Sequence, residues 1–306
     1  MFYKKKLPCL KFKRATRLAF ASQRKSHFSQ KSFSNHSEEF IKWFVGFSDA
    51  ESYFIIVLHK DKTAKILSIT FRFLIELHVD DIDALKYIKS KLNIGNDIAV
   101  YGHSCKFTVT HPKDIYKLID IFDEYNLNTT KYLDYLDFKK AFNLYKGRNK
   151  TIKDNQTLID LILELKNGMN KSRIHFSLPA DHKIVISGPL LLGFIEGEGS
   201  FYLARTEFEP AFSIAQSETQ LPVVEKIKEF LENDLGFDKY SMFKLKCSSA
   251  IAIKRGKAVK NSKPLEVLTI KNTNILMNYL TPYLENMPFI TKKGKDIFLN
   301  YMYSCV

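Results

Sequence analysis

One stretch of this chain occurs twice, and the repetition constrains the fold more than any other feature. Trp43-Phe-Val-Gly-Phe-Ser-Asp-Ala-Glu-Ser-Tyr-Phe54 aligns with Leu190-Leu-Leu-Gly-Phe-Ile-Glu-Gly-Glu-Gly-Ser-Phe201 at an offset of 147 residues, about the size of one compact module. Gly46 matches Gly193, Phe47 matches Phe194, Glu51 matches Glu198 and Phe54 matches Phe201. A second acid (Asp49, Glu196) and a small residue (Ala50, Gly197) coincide as well. The segments downstream of the two copies are parallel too. Apolar alternation predicts strands at 53–59 and 66–77, a helix at 80–92, short strands near 98–101 and 106–110, and helices at 112–125 and 130–145. After the second copy the same reading predicts strands at 201–206 and 211–216, a helix at 221–231, strands near 242–246, 250–255 and 265–271, and helices at 274–284 and 291–302. Each half reads helix, two strands, helix, two strands, helix. The fold class is therefore α+β, in two pseudo-symmetric repeats at 38–146 and 187–306. A tether at 147–186 carries one modest helix.

Charge bears on partners only once it is located. The 306 residues carry a formal net charge of +14. Residues 1–37 hold ten Lys and Arg with no Asp or Glu, which leaves +4 for the rest. A second basic zone, 239–271, holds nine Lys and Arg against the single acid Glu266. Such zones attract polyanions. The basic, Ser-rich and acid-free tail has the composition of a mitochondrial transit peptide or of a stub read through from an upstream exon, and both point to an organelle. No apolar run is long enough to span a bilayer, so no membrane partner is expected. The four scattered cysteines do not form a disulfide framework or a zinc site.

Each motif sits at the end of a predicted helix. Ser37 suits the N-cap of the first, and Ser187 followed by Pro189 is a start signal for the second. Gly46 and Ala50 lie four apart on one helix face, as do Gly193 and Gly197, and small residues at that spacing let two helix backbones approach closely. If the two stripes pack together, Glu51 and Glu198 emerge side by side at the foot of the pair. One such stripe ending in an acid is ordinarily just a tight helix with a solvated carboxylate; two aligned copies reverse that reading. Adjacent carboxylates repel unless neutralised. Hard divalent cations such as Mg²⁺ do so through one or two carboxylates, with water and phosphate oxygens filling the other positions. Two such ions can activate an attacking water and stabilise a leaving oxygen in phosphodiester cleavage.

Phe44-Val-Gly-Phe-Ser-Asp-Ala-Glu-Ser52 and Leu191-Leu-Gly-Phe-Ile-Glu-Gly-Glu-Gly199 resemble the two copies of the motif that names the LAGLIDADG homing endonucleases. From about residue 38 onwards the chain is similar to their monomeric, two-repeat branch. The resemblance implies an αββαββα fold per repeat, motif helices at the repeat interface, and two saddle-shaped antiparallel sheets lying in the DNA major groove. It implies two or more Mg²⁺ ions held by Glu51 and Glu198, with Asp49 and Glu196 as structural acids. Thr130-Lys131 and Thr291-Lys292 resemble the segments that bear a basic residue near each centre, so Lys131 and Lys292 are expected to assist by stabilising charge on the phosphate. Gln216 resembles a polar active-site position of the second repeat, with His78 or Glu76 in the corresponding place of the first. Ser52 stands where the motif usually has glycine, and a turn needing positive φ would be strained there.

The implied activity is Mg²⁺-dependent, site-specific cleavage of double-stranded DNA that promotes intron mobility in the mitochondrion. Two other classes remain open: an intron maturase of the same fold, whose partner is group I intron RNA, and a silenced DNA-binding protein. DNA contacts are expected from strand positions facing away from the core: Arg72 in the first repeat, and Lys254, Arg255, Lys257 and Lys260 in the second, some reading base edges and others phosphates.

Overall fold

The computed structural model describes residues 38–148, 155–203, 210–236, 251–256 and 264–292. The tail, the strand expected near 242–246, Lys257 and Lys260 lie outside the described residues, as does most of the last expected helix.

In the first half, α1 (Glu38–Glu51) leads into the antiparallel pair β1 (Ser52–Lys60) and β2 (Ile66–His78). A 3₁₀ turn (Val79–Asp81) opens α2 (Ile82–Leu92), followed by β3 (Ala99–Tyr101), β4 (Ser104–Val109), α3 (Pro112–Glu124) and α4 (Lys131–Lys146). After α5 (Gln156–Asn167) the order recurs as α6 (Gly188–Glu198), β5 (Gly199–Leu203) and β6 (Pro210–Ser217). A 3₁₀ turn (Glu218–Gln220), α7 (Leu221–Asp234), β7 (Ala252–Gly256) and β8 (Leu265–Ile270) come next, then a helical run α8 over 273–285. The two sheets have the same strand order, β1-β2-β4-β3 and β5-β6-β8-β7. The expected α+β repeat is what the chain forms.

Period-2 alternation decides which face of each sheet is covered. In β2, Ile69, Phe71, Phe73 and Ile75 are buried, while Arg72 between them is exposed. Ser52, Phe54 and Ile56 of β1 join the covered face, as do Cys105, Phe107 and Val109 of β4. A shift of one residue would turn this whole set into water, so the register is tightly specified. Phe54 and Phe73 meet Phe122 of α3 and, for Phe54, Tyr135 and Phe138 of α4, at ring separations of 5.3 to 5.8 Å. Truncating any of these rings to alanine would cost about 3–5 kcal/mol.

The motif helices are the centre of the molecule. α1 and α6 are buried on nearly all sides, from Trp43 to Asp49 and from Leu190 to Gly197. They touch through their glycines. A methyl group at Gly46 would be driven into the Leu190 carbonyl, and one at Gly193 would lie 2.7 Å from the Phe47 nitrogen and press on the Trp43 carbonyl. Only bare Cα hydrogens permit that approach, which is the close crossing the stripes predicted.

The tether is more than a spacer. Arg173 is buried between Asp134 at 2.9 Å and Asp137 at 2.6 Å of α4. Asn170, at φ 55°, donates from its side chain to the Phe54 carbonyl at 3.0 Å. The Asn128 side chain pairs with both main-chain groups of Val185. This segment straps the first repeat to the start of the second.

Candidate active site at the foot of the helix pair

Where α1 and α6 end, the chain must turn into β1 and β5, and the acids of the motif divide the work. The first acid of each motif, Asp49 and Glu196, faces inward. The Asp49 carboxylate accepts from the main-chain nitrogens of Asn128 (2.6 Å) and Thr129 (3.1 Å) and from the Thr129 hydroxyl (2.6 Å). Glu196 accepts from the main-chain nitrogens of Ile290 (3.0 and 3.1 Å) and Thr291 (2.5 Å), and from Trp43 Nε1 of the opposite repeat (2.9 Å). These are the structural helix-end acids that the resemblance implied: each ties its motif helix to the approach of its repeat's last helix. Burial raises both carboxyls above the ordinary range, Glu196 to about 7, against the pull of those donors.

Glu51 and Glu198 are only half-buried. Glu51 packs against Gly197, the residue before Glu198: a methyl group built there would be 3.2 Å from the Glu51 Oε1 atom. Lys131 stands over the same spot. Its Nζ donates to the Ser48 carbonyl at 2.9 Å and the Ala50 carbonyl at 3.3 Å, the last carbonyls of α1. Burial pushes its ammonium down to about 8, while Asp49, Glu51 and Glu198 all pull it back up. One lysine therefore feels the acids of both repeats, 147 residues apart in sequence.

Ser52 does not strain the turn. It is not among the positive-φ residues, and Gly199 at the matching position has φ −71°. Ser52 is buried, its hydroxyl donating to the Ser48 carbonyl at 2.7 Å. What Gly199 avoids is a contact: a methyl group there would lie 2.6 Å from the Ile195 carbonyl.

Three expected site residues have surroundings that the motifs did not reveal. Lys292 is the first. Asp49 binds the main chain at 128 and 129 with the Thr129 hydroxyl, and Glu196 binds it at 290 and 291 with the side chain of Thr291. Position 292 therefore corresponds to Thr130, and Lys131 corresponds to 293, a lysine outside the described residues. The Lys292 ammonium instead lies 3.9 Å from Asp80, more than half exposed. The alignment slipped because two lysines come directly after Thr291 and only the hydrogen bonds tell them apart. Gln216 is the second. Its ladder partner is Glu266, and it shares the covered side of its strand with Phe212 and Ile214. Counting through the ladders, its counterpart in the first repeat is Leu77 rather than His78 or Glu76. Arg255 is the third: it is engaged by Glu218 and lies 3.9 Å from Glu266, so its charge is already answered.

Arg72 and Lys254 keep their expected places on the open faces, exposed and with no ion pair among the described residues. Sequence reading passed over much of the rest of that face. Beside Arg72 stand Tyr53, Ile55, Val57 and Leu74, in register across β1 and β2, and Lys106 is paired with Glu76 at 3.1 Å. The β1–β2 hairpin tip adds Lys60, Lys62 and Lys65, all exposed. Asp61 there is spent on its own turn, accepting from Thr63 and Lys65. Outward alternation alone would have found this set.

Two repeats with glycine-crossed motif helices, paired terminal glutamates and two four-stranded sheets make up a pseudo-symmetric α+β fold. The LAGLIDADG endonuclease family model matches residues 44–142 and 191–303, and the chain belongs to that family. Its relatives include a probable intron-encoded endonuclease, Cox1-I1b, of Schizosaccharomyces pombe, 35% identical over 218 residues and covering 68% of this chain and 53% of the relative. An uncharacterized mitochondrial protein, RF1, of Saccharomyces cerevisiae is 27% identical over 201 residues, covering 64% and 39%. The chain thus spans about half or less of the length of these curated relatives. Among solved structures, the homing endonuclease I-GzeII in complex with its DNA target aligns with a TM-score of 0.67 at 24% identity, covering 85% of this chain and 88% of that one. I-SmaMI bound to DNA aligns with a TM-score of 0.69 at 20% identity, covering 87% and 90%. At those identities the likeness is one of fold.

Proposed function

We propose that this chain is a site-specific, divalent-metal-dependent endonuclease that cuts both strands of a DNA duplex near the middle of its recognition site. The reading rests chiefly on one observation: Glu51 and Glu198 come together at the foot of the glycine-crossed helices, where both act on the Lys131 ammonium. The donor set suits Mg²⁺. Among the described residues no cluster of three or more His, Cys, Asp or Glu side chains forms a closed cage, and a pair of half-exposed carboxylates leaves most positions to water and phosphate oxygens, as this ion prefers. Glu51 and Glu198 would hold it; when bound it supplies a polarised phosphate and a water of lowered pKa. Lys131, fixed by two carbonyls, would place a positive charge where the pentacoordinate phosphate gains negative charge. We assign the matching role in the second repeat to Lys293, by the hydrogen-bond register that Asp49 and Glu196 set.

The open faces supply recognition. Arg72 and Lys254, which have no ion pair among the described residues, suit guanine edges or phosphates. Tyr53, Ile55, Val57 and Leu74 offer apolar surface of the kind that meets thymine methyl groups. The lysines of the β1–β2 hairpin suit backbone contacts. That relatives are intron-encoded or mitochondrial fungal proteins supports a role in intron mobility within the mitochondrion.

The test is cleavage of a randomised duplex library by the full chain with Mg²⁺. Double-strand breaks at one sequence motif, stopped by chelation of the metal, are expected. Intact DNA, or breaks with no sequence preference, would overturn the reading.

A further inference from the structure

Asp81 and Gln220 hold the same station in the two repeats: each is the N-cap residue of the central helix, α2 or α7, just after the 3₁₀ turn that ends the long strand. Side chains at that position ordinarily accept a hydrogen bond from the first turn of their own helix. Neither of these does. Both reach across the repeat boundary instead. Gln220 Oε1 accepts from the Thr130 main-chain nitrogen at 3.0 Å, and its Nε2 donates to the Thr130 hydroxyl at 2.5 Å. Asp81 Oδ1 accepts from the Lys292 main-chain nitrogen at 2.6 Å. Thr130 and Lys292 are equivalent by the register set by Asp49 and Glu196, and each immediately precedes a lysine, Lys131 or Lys293.

We infer that Gln220 and Asp81 are positioning residues, each locking the lysine-bearing segment of one repeat onto the sheet end of the other. Chance polar contacts at a packed interface account poorly for the arrangement, because the same position in both repeats reaches the equivalent main-chain N–H of the opposite repeat. The N-terminus of a last helix has unpaired N–H groups to satisfy, and here the opposite repeat supplies an acceptor. The geometry of each centre then depends on both halves of the molecule. Thr130 is pinned on one side by Gln220 while Thr129, its neighbour, is pinned by Asp49. Together they fix the start of α4, from which Lys131 reaches back to the Ser48 and Ala50 carbonyls.

The inference rests on the nuclease reading, and its test separates the two. A duplex selected by the wild-type chain from a randomised library is labelled differently on each strand, and single-turnover nicking of each strand is monitored with Mg²⁺. Wild type is expected to cut both strands. Gln220→Leu should slow one strand by on the order of ten- to a hundredfold, as a displacement of about 1 Å at a reacting group does. Asp81→Leu should slow the opposite strand by a similar factor. Gln220→Glu and Asp81→Asn keep an acceptor for the main-chain N–H and should restore balanced cutting. If wild type cuts and both leucine variants slow the two strands equally, or neither, the positioning role is wrong. A wild-type chain that leaves both strands intact overturns the nuclease reading and this inference with it.

Discussion

Replacing Gly193 by alanine puts the crossing of the motif helices to a quantitative test. Helix propensity alone favours the change by about 1 kcal/mol, since glycine is the poorer helix former. The structure predicts the opposite outcome. The added methyl group would lie 2.7 Å from the Phe47 nitrogen and closer still to the Trp43 carbonyl oxygen, both main-chain atoms that no rotamer change can move. Ordinary contact is restored only if α1 and α6 separate by about 1 Å, which loosens dispersion contacts along the pair. Overpacking of this kind costs about 1–3 kcal/mol, so the net effect is a loss of up to about 2 kcal/mol where a gain would be read from propensity. The same displacement parts Glu51 from Gly197 and Glu198, and misplacement of about 1 Å at a catalytic group costs on the order of a hundredfold in rate. Urea unfolding and single-turnover cleavage together measure both effects. A variant that is stabilised by about 1 kcal/mol and cuts at the wild-type rate would refute the reasoning.

Other consequences arise from the same geometry. Glu196 has a folded pKa of about 7 against 4.5 for the free group. The folded state therefore holds the extra proton between those values, and stability falls as pH rises from about 4.5 to 7 by on the order of 3 kcal/mol; in Glu196→Gln, denaturant midpoints across that window should flatten. Arg173→Leu leaves Asp134 and Asp137 facing each other in a largely buried site; the loss expected is about 3–5 kcal/mol by chemical denaturation. Arg72→Ala should relax preference at one base position by about 1–3 kcal/mol and shallow the salt dependence of DNA binding by about one charge, measured by fluorescence anisotropy.

Much of this fold was legible in the chain because two periodicities repeat at a fixed offset. The alternation of Phe71, Phe73, Ile75 and Leu77 fixed a face, and the stripes at Gly46 and Gly193 fixed a crossing. Glu51 and Glu198 came directly from the stripes, while Asp49 and Glu196 turn to main-chain donors instead. What sequence could not carry was information held in hydrogen bonds between distant segments. The register that separates Lys292 from its neighbour lies in the grip of Glu196 on positions 290 and 291. The pairing of Gln216 with His78 or Glu76 was off because a one-residue step along a strand exchanges the two faces. Arg255 looked free because Glu218 is 37 residues away in sequence. Asp81 and Gln220 look like ordinary helix caps, and only three dimensions show that they cap nothing of their own.

Glu51 and Glu198 are proposed to form one metal-binding catalytic centre. Single-turnover cleavage of the selected duplex by Glu51→Gln and by Glu198→Gln in Mg²⁺ tests it most directly, because glutamine keeps the shape and removes the charge. Each change should slow double-strand cleavage by at least on the order of a hundredfold while duplex binding and unfolding midpoints stay close to wild type. Cleavage at the wild-type rate by either variant would contradict the account.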